Sequence, residues 1–284
     1  MGAVVEEQVR ATPAPPLSSV VRRYDGFRFG GLDPGTHQGL PSGNLTFIVS
    51  LESPTRIVTM PGRQGPASFD AFVGGLHLAP ATVAHRGSGA GISVEVSPLA
   101  CRCLFGVPAA ALAHCVVDLS DLLGRAATEL TDRLADAASW AERFEVLDTV
   151  LSRSIADEPI VAREVRRAWQ LLRQAGGNLG VAELASAVGW SRRHLSARFG
   201  FERGVTPKEA ARVLRFESTC ALLDRGMTLA NAAVAGGYFD QAHLTHEWRA
   251  LAGASPTAWL VDPLRDRADQ FPNLQDSDQS DAGG

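Results

Sequence analysis

The sequence is poor in lysine and has no long apolar run. Among the 27 Lys and Arg residues only Lys208 is lysine, so arginine also serves where lysine would do, and its abundance alone marks no functional residue. No apolar stretch approaches the roughly 18 residues that a membrane-spanning helix needs. The amino terminus also lacks the charged, apolar and small-residue order of a signal peptide. These absences predict a cytoplasmic protein without a membrane span.

Cysteine is also scarce, and its spacing matches neither a disulfide framework nor a zinc site. A metal or thiol sensor is one interpretation, since Cys101 and Cys103 would share the face of a strand. Its further ligands would come from Cys115, His77, His85 and His114. We expect reduced structural cysteines instead, with Cys220 in the buried stripe of a helix, and no metal or cofactor.

Charge is unevenly distributed along the chain. The net charge is −4 at pH 7, which alone argues against a nucleic-acid partner. Residues 1–159 carry 12 basic and 17 acidic side chains, residues 160–260 carry 13 and 8, and residues 261–284 carry 2 and 6. A basic segment therefore lies between two acidic ones, and local positive charge is what contact with phosphates requires.

The length and composition predict two domains with flexible ends. A chain of 284 residues that is 45% hydrophobic is ample for two buried cores. We expect a flexible lead-in over residues 1–19 and an acidic flexible tail over 263–284. Between them we expect an effector or dimerisation domain over 20–158, β-rich to about residue 106 and helical after it, and a basic helical domain over 159–262.

The first domain begins with short β-rich runs. Five runs between Asn44 and Leu104 have strand length and many β-branched or aromatic residues: LTFIVSL, RIVTM, FDAFV, ATVAH and GISVEV. Their spacing predicts a sandwich or small barrel. From Pro108 the period becomes helical, and a helix over 140–154 has an apolar stripe of Phe144, Leu147, Val150 and Leu151. Such helices either cover the barrel or pair with a second subunit.

The second domain contains one two-helix pattern twice. The first copy, VAELASAVGWSRRHLSARF, runs from Val181 to Phe199, and the second, LANAAVAGGYFDQAHLTHEW, runs from Leu229 to Trp248. Equivalent positions are 48 residues apart before the turn and 49 after it, so one residue is inserted in the turn. A short helix, a glycine break and a capped second helix form the pattern of a helix-turn-helix. A repeat that keeps equivalent residues at a nearly constant spacing indicates a duplicated structural unit rather than chance similarity.

A predicted helix from Pro207 to about Asp224 joins the two copies. Thr206, Pro207 and Glu209 supply its N-cap, first-turn proline and capping-box carboxylate, and Gly226 ends it. At 1.5 Å per residue this helix is about 25 Å long. That length suits two recognition helices about one DNA turn, roughly 34 Å, apart.

Residues from about 160 to 260 resemble the DNA-binding domain of AraC/XylS-type transcription regulators. The resemblance rests on two helix-turn-helix units, a linker helix and a closing G-x-S-P-x-x-W motif, here Gly253, Ser255, Pro256 and Trp259. It implies an α+β protein, with an amino-terminal β-rich cupin-like barrel and following helices, and a carboxyl-terminal all-α domain over 159–262. It also implies a one-component regulator, activator or repressor, whose first domain senses a small molecule or partner. The implied partners are double-stranded DNA, a small-molecule effector, RNA polymerase and a second copy of the chain, and no membrane.

Carried over residue by residue, the resemblance assigns base-facing positions on the second helix of each unit. These are Arg192, Arg193, Ser196 and Ala197 in the first unit and Gln241, Ala242, His243 and His246 in the second. Arg193 can pair with a guanine edge and Gln241 with an adenine, each worth about 1–3 kcal/mol of discrimination. Ala197 and His246 stand where arginine is common in the family, so the target sequence cannot be read from the resemblance. Phosphate contacts, or mere solvation, are expected of Ser191, Arg198, Arg203, Arg215 and Arg249.

Two other functions stay open at this stage. One is a DNA-binding protein whose amino-terminal domain only oligomerises, which would have a filled barrel core rather than an apolar pocket. The other is a metal-dependent cupin enzyme fused to a DNA-binding domain. It would need clustered His and Glu ligands, and only Glu52 and Glu95 lie in the strand region. We therefore expect no enzymatic activity.

Overall fold

Strands dominate the first part of the chain and helices the second in the computed structural model, which describes residues 5–156 and 161–261. The strands are β1 (Val5–Ala11), β2 (Val21–Gly30), β3 (Gly35–Gly39), β4 (Leu45–Ser50), β5 (Thr55–Thr59), β6 (Ala67–Phe69), β7 (Ala71–Gly74), β8 (Ala81–His85), β9 (Gly89–Val96) and β10 (Val116–Asp118). The helices are α1 (Cys101–Phe105), α2 (Ala109–Leu112), α3 (Leu119–Leu123), α4 (Arg125–Asp136), α5 (Trp140–Ser154), α6 (Arg163–Gln174), α7 (Val181–Ala187), α8 (Arg192–Arg203), α9 (Pro207–Asp224), α10 (Leu229–Ala235), α11 (Gln241–Ala252) and α12 (Pro256–Leu260). Within the described ranges, no helix is both long and apolar enough to cross a bilayer.

The strands form two antiparallel sheets. The first has the order β1-β2-β9-β4-β7-β10 and the second the order β3-β8-β5-β6. Ile48 and Phe72 of the first sheet share a buried cluster with Ile57 and Val83 of the second, so the two sheets face each other. Two facing antiparallel sheets are the architecture of cupins. The predicted α+β class, with a cupin-like barrel followed by an all-α domain, is confirmed.

The six-stranded sheet is buried on both faces because its side chains alternate along each strand. Ile48 faces the second sheet, whereas Phe47 and Val49 on the same strand join the large core formed with the helices. Helix α5 closes that outer face. The rings of Tyr24 and Phe144 stack with centroids 5.8 Å apart. The helices after the barrel therefore cover it, which is one of the two roles predicted for their apolar stripe.

The expected lead-in over residues 1–19 is wrong for Val5–Ala11, which forms β1. This strand pairs with β2 along its whole length, and Arg10 lies 3.2 Å from the carboxylate of Asp25 on β2. Its polar sequence, VEEQVRA, shows no clean apolar alternation, so the pairing with β2 and the ion pair give it strand structure. The acidic tail expected over 263–284 lies outside the described residues.

The cysteines do not share a strand face. Cys101 and Cys103 lie on helix α1, directly after a helical turn that begins at Pro98, and both are buried. All four cysteines are free thiols, and burial raises the pKa of Cys101 to about 12. A thiol with so high a pKa is a poor nucleophile. Across the described residues, no group of three or more His, Cys, Asp or Glu is placed to hold a metal ion.

The carboxyl-terminal domain repeats its geometry as well as its sequence. The turn glycines Gly189 and Gly237 both have φ of 73°, and the helix-ending glycines Gly204 and Gly253 have φ of 76° and 72°. These left-handed conformations are strained for any residue with a side chain. Helix α9 has the bounds that its capping residues predict.

The loop between β3 and β4 joins the two domains. Leu40 packs into the core of the second helix-turn-helix unit, with Phe216 of α9. Ser42 and the backbone of Gly43 both donate to the Glu217 carboxylate on α9, each at 2.9 Å. Arg173 of α6 donates to Asn44 at 3.1 Å. The barrel is therefore attached directly to the helix that connects the two helix-turn-helix units.

Candidate nucleic-acid interface

Helix α8 is fixed by its inner face and capped at its amino end. The Ser191 hydroxyl accepts a hydrogen bond from the His194 N–H at 3.2 Å, which satisfies one of the free donors of the first turn. Leu195 and Phe199 are fully buried. The Phe199 ring lies 6.2 Å from that of Trp169 on α6. These contacts orient the opposite side of the first two turns toward solvent.

Helix α11 is built in the same way. The Asp240 carboxylate accepts from the His243 N–H at 2.7 Å, and Leu244 and Trp248 are fully buried. The Trp248 ring makes edge contacts with Phe216 at 4.8 Å and Trp259 at 5.1 Å. Trp259 belongs to the closing motif of the sequence, so that motif fixes the position of the second recognition helix.

The positions predicted to face bases lie on the outer side of these two helices. Ser196 is half-buried, and the other seven are exposed: Arg192, Arg193, Ala197, Gln241, Ala242, His243 and His246. The two sets occupy the first turns of their helices, where recognition helices contact base edges. The structure thus brings each predicted set together on one accessible surface, and their contacts with bases stay a prediction.

One of these side chains has a defined hydrogen-bonding role. The Nδ1 atom of His243 lies 3.2 Å from the backbone N–H of Phe239, which donates to it. In the neutral ring the remaining proton is therefore on Nε2. The Tyr238 ring contacts His243 edge-on at 5.5 Å and holds its orientation. His243 thus presents an N–H donor rather than an acceptor.

The residues predicted to contact phosphates differ in access. Ser191, Arg198 and Arg249 are exposed, whereas Arg215 is half-buried with its guanidinium 5.5 Å from the Tyr238 ring. Arg203 is fully buried, so its expected phosphate contact is wrong. Its guanidinium lies 3.5 Å from the centre of the Trp169 ring, and burial lowers its pKa well below the usual range.

No sequence pattern predicted the exposure of two aromatic residues near the recognition helices. Phe239, directly before the cap of α11, is 91% exposed, and Phe201, on the last turn of α8, is 57% exposed. Arg102 of the first domain lies over the Phe201 ring and pairs with Glu202 at 3.4 Å. The carboxyl end of α8 is therefore docked on the barrel domain, while its amino end stays open.

Two of the cavities lined by the described residues lie between the sheets of the first domain. The centre is nearly filled, with about 40 Å³ remaining beside Ile57, Phe72 and His77. A larger cleft of about 400 Å³ opens where β2 and β9 face β3, β5 and β8. Its walls include Phe27, Phe29, His37, Arg56 and His85. Neither cavity could be located from the sequence, because their walls come from strands that are distant along the chain.

Comparisons with known proteins match both domains. A family model described as a helix-turn-helix domain matches residues 184–261, and one described as a domain of unknown function, DUF6597, matches residues 9–118. The uncharacterized HTH-type transcriptional regulator YbfI of Bacillus subtilis (strain 168) is 28% identical over 91 residues, which are 32% of this chain. The match spans about a third of the relative's length, 33%.

Among solved structures, an apo variant of ToxT from Vibrio cholerae strain SCE256 matches with a TM-score of 0.53 and 8% identity, over 88% of this chain and 98% of its own. At that identity the match shows a shared fold alone. The AraC-like transcriptional activator CuxR matches with a TM-score of 0.30 and 12% identity, over 73% of this chain and 94% of its own. Two helix-turn-helix units on one connecting helix, with the closing motif around Trp259, therefore give this chain a helix-turn-helix domain similar to that of an HTH-type transcriptional regulator, after an amino-terminal domain of cupin-like fold.

Proposed function

We propose that the protein binds a specific double-stranded promoter sequence through α8 and α11 together, under the control of a small molecule held by the amino-terminal domain. The observation that carries the proposal is the matched presentation of two helices. Each is capped at the same point, by Ser191 or Asp240, and each exposes the polar side chains of its first turn. Two such surfaces at equivalent positions fit a two-part recognition site.

Helix α9 gives the two recognition helices a fixed relationship. Its 18 residues span about 25 Å at a rise of 1.5 Å per residue. Arg212 of α9 pairs with Glu247 of α11 at 2.7 Å, and although burial raises the pKa of Glu247, this pairing leaves it below its usual value. Held in this way, α8 and α11 would enter successive major grooves on one side of the duplex.

A small number of side chains would determine which DNA bases the protein prefers. Arg193 has the bidentate geometry that suits guanine, and Gln241 has the paired donor and acceptor that suit adenine. His243 offers an Nε2–H donor to an acceptor on a base edge or a phosphate. Arg198 and Arg249 are exposed and would contact the phosphates beside these bases.

The amino-terminal domain would sense rather than catalyse. The polar residues between its sheets form an ion-paired network: Asp25 lies 2.6 Å from Arg23 and 3.2 Å from Arg10, and Glu95 lies 3.7 Å from Arg23. The arginines would compete with a metal ion for these carboxylates, although burial raises the pKa of Glu95 against the opposing effect of Arg22 and Arg23. Metal analysis of the purified full-length protein tests this, since stoichiometric zinc, iron or manganese would favour the fused cupin enzyme.

A purely oligomerising amino-terminal domain is the second candidate, favoured by the nearly filled centre of the barrel. The cleft of about 400 Å³ favours an effector instead, since ligand sites commonly enclose about 300–1,000 Å³. Self-association and contact with RNA polymerase stay predictions from the family resemblance.

Sequencing the genomic DNA retained by the purified protein is the most direct test. We expect a shared, asymmetric motif with two parts about one helical turn apart. Competition at about 0.15 M salt then measures specificity against unrelated DNA, and a specific site should bind at least about 1,000-fold more tightly. Equal binding of retained and unrelated sequences at that salt concentration would rule out the proposed function.

A further inference from the structure

One wall of the cleft between the sheets is aromatic. Phe27 and Phe29 point between the sheets from β2, opposite Gly91 and Gly89 of β9. A Cβ atom at Gly91 would lie 2.7 Å from the Phe27 ring, and one at Gly89 would lie 2.9 Å from the Phe29 ring. The glycines thus let both rings lie flat along β9, which leaves the space in front of them open.

The opposite wall is polar and basic. His37 of β3 and His85 of β8 lie side by side with ring centroids 6.0 Å apart, and the Phe29 ring meets His85 edge-on at 6.0 Å. Arg56 and Arg86 are exposed at the mouth of the cleft. Serine and threonine hydroxyls complete the lining, and among the described residues that form it none is acidic.

The charge of this wall resides on the arginines. Burial, and secondarily the neighbouring His85, lower the pKa of His37 to about 3, so its ring is neutral at physiological pH. A neutral imidazole is a hydrogen-bonding group rather than a cation. Cations at the mouth and apolar rings inside would attract a negative group to the mouth and an apolar body to the interior.

We propose that this cleft binds a small carboxylate with an apolar or aromatic body, whose anionic group meets Arg56 and Arg86 and whose body lies against Phe27 and Phe29. The proposal rests on the proposed function for its regulatory role, since the occupant would be the effector. A cavity of about 400 Å³ suits a body of roughly one aromatic ring with a short chain.

The cleft is connected to the DNA-binding domain by a short path. His37 lies on β3, an edge strand that pairs with β8 alone among the described strands. Three residues after His37, Leu40 enters the core of the second helix-turn-helix unit, and Ser42 and Gly43 bond to Glu217 of α9. A ligand that shifts β3 therefore acts on the helix that joins the two recognition helices.

Calorimetric titration of the full-length protein without DNA tests the site. The probes are phenylacetate and hexanoate, each compared with its uncharged amide, phenylacetamide or hexanamide. We expect at least one carboxylate to bind with a Kd at least about tenfold below that of its amide. The Arg56→Gln, Arg86→Gln double variant should lose most of this difference, since both side chains are exposed and their replacement leaves the core intact.

Arg28→Gln is the matched control. Arg28 lies on β2 between the two phenylalanines and points to the other face of the sheet, where it pairs with Glu52 at 3.6 Å. Its replacement should leave carboxylate binding unchanged. Any of three results would overturn the inference. These are equal Kd values for carboxylate and amide, carboxylate binding that the double variant does not change, and no binding of either carboxylate. Because the titration contains no DNA, a failed ligand site and a failed DNA-binding function give separate results.

Discussion

The carboxylate of Glu217 accepts hydrogen bonds from the Ser42 hydroxyl and the Gly43 N–H, 174 or more residues away in the chain, both at 2.9 Å. Gly43 fits tightly there, since a Cβ atom would lie 2.9 Å from Leu214 and 3.2 Å from a Glu217 oxygen. This one acidic side chain on α9 is thus the point where the barrel holds the helix between the recognition units.

Glu217 should make the stability of this junction depend on pH. Burial raises its pKa from 4.5 to about 7, against the opposing effect of the Gly43 and Ser42 donors; nearby Glu95 raises it further and Arg22 lowers it. Because the folded protein holds a proton that the unfolded chain releases, stability is fully present below about pH 4.5 and is lost as pH rises through about 7.

Urea denaturation from about pH 5 to 8 measures this effect. Wild type should lose stability over that range relative to Glu217→Gln, which keeps an oxygen acceptor for Ser42 but cannot ionise. Superimposable pH profiles for the two proteins would show that Glu217 does not titrate as its burial implies.

Arg203 should act in packing and not in DNA binding. Its buried guanidinium lies against Trp169, and within the described chain its nitrogens have no hydrogen-bond partner. An uncompensated buried charge is costly, and replacing buried charged groups by well-packed apolar side chains is often neutral or stabilising. We therefore expect Arg203→Met to leave the free energy of unfolding unchanged or raised.

The salt dependence of DNA affinity separates the two roles of arginine. Arg203→Met should leave the slope of log K against log salt unchanged, whereas Arg249→Ala, at an exposed position, should reduce it by about one unit. A reduced slope for Arg203→Met would mean that this side chain leaves Trp169 to meet a phosphate.

How far the sequence predicts the structure depends on the range of the interactions. The start of helix α9 could be predicted to the residue and its end closely, because Thr206, Glu209 and Gly226 act within one turn of its ends. Strand β2 was not predicted because Arg23 and Asp25 interrupt its apolar alternation. Ion pairs, including one with Glu95 on another strand, stabilise these charged side chains, and a local sequence pattern does not show such pairs. The same limit applies to Cys101 and Cys103, whose helix is fixed by packing after Pro98.

The same distinction between local and long-range interactions decides which parts of the candidate site could be predicted. The recognition surfaces follow from helical periodicity, so Arg193 and Gln241 could be placed on them from the sequence. The burial of Arg203, one turn beyond Phe199, depends on the docking of α8 against α6 and the barrel, contacts between segments far apart in the chain. The cleft and the Glu217 junction depend on such contacts throughout.

Arg193→Ala should relax sequence choice at one base position. The lost guanine contact is worth about 1–3 kcal/mol, so affinity for the preferred site should fall by about 5- to 150-fold while single-base variants at that position become equivalent. Affinities for a panel of single-base variants measure this. Arg198→Ala is the control on the same helix, and it should weaken all sequences alike. A uniform loss for Arg193→Ala would reassign that residue to the phosphates.

The two turn glycines should respond differently to alanine. Gly189 and Gly237 share a φ of 73°, which costs a residue with a side chain about 1–2 kcal/mol. Around Gly189 a Cβ atom would meet nothing within 4 Å, but at Gly237 it would lie 1.9 Å from the Asn178 side-chain oxygen. Gly237→Ala should therefore destabilise the domain more than Gly189→Ala, since Asn178 must move as well.

A double-mutant cycle isolates the second effect. With Asn178→Ala in place, the further cost of Gly237→Ala in urea denaturation should fall to about that of Gly189→Ala, because only the backbone strain remains. Asn178→Ala alone supplies the baseline. If the cost of Gly237→Ala were the same with and without Asn178→Ala, the Asn178 contact would not restrict this turn. The residue inserted in the second turn would then have to explain any difference in cost between Gly237→Ala and Gly189→Ala.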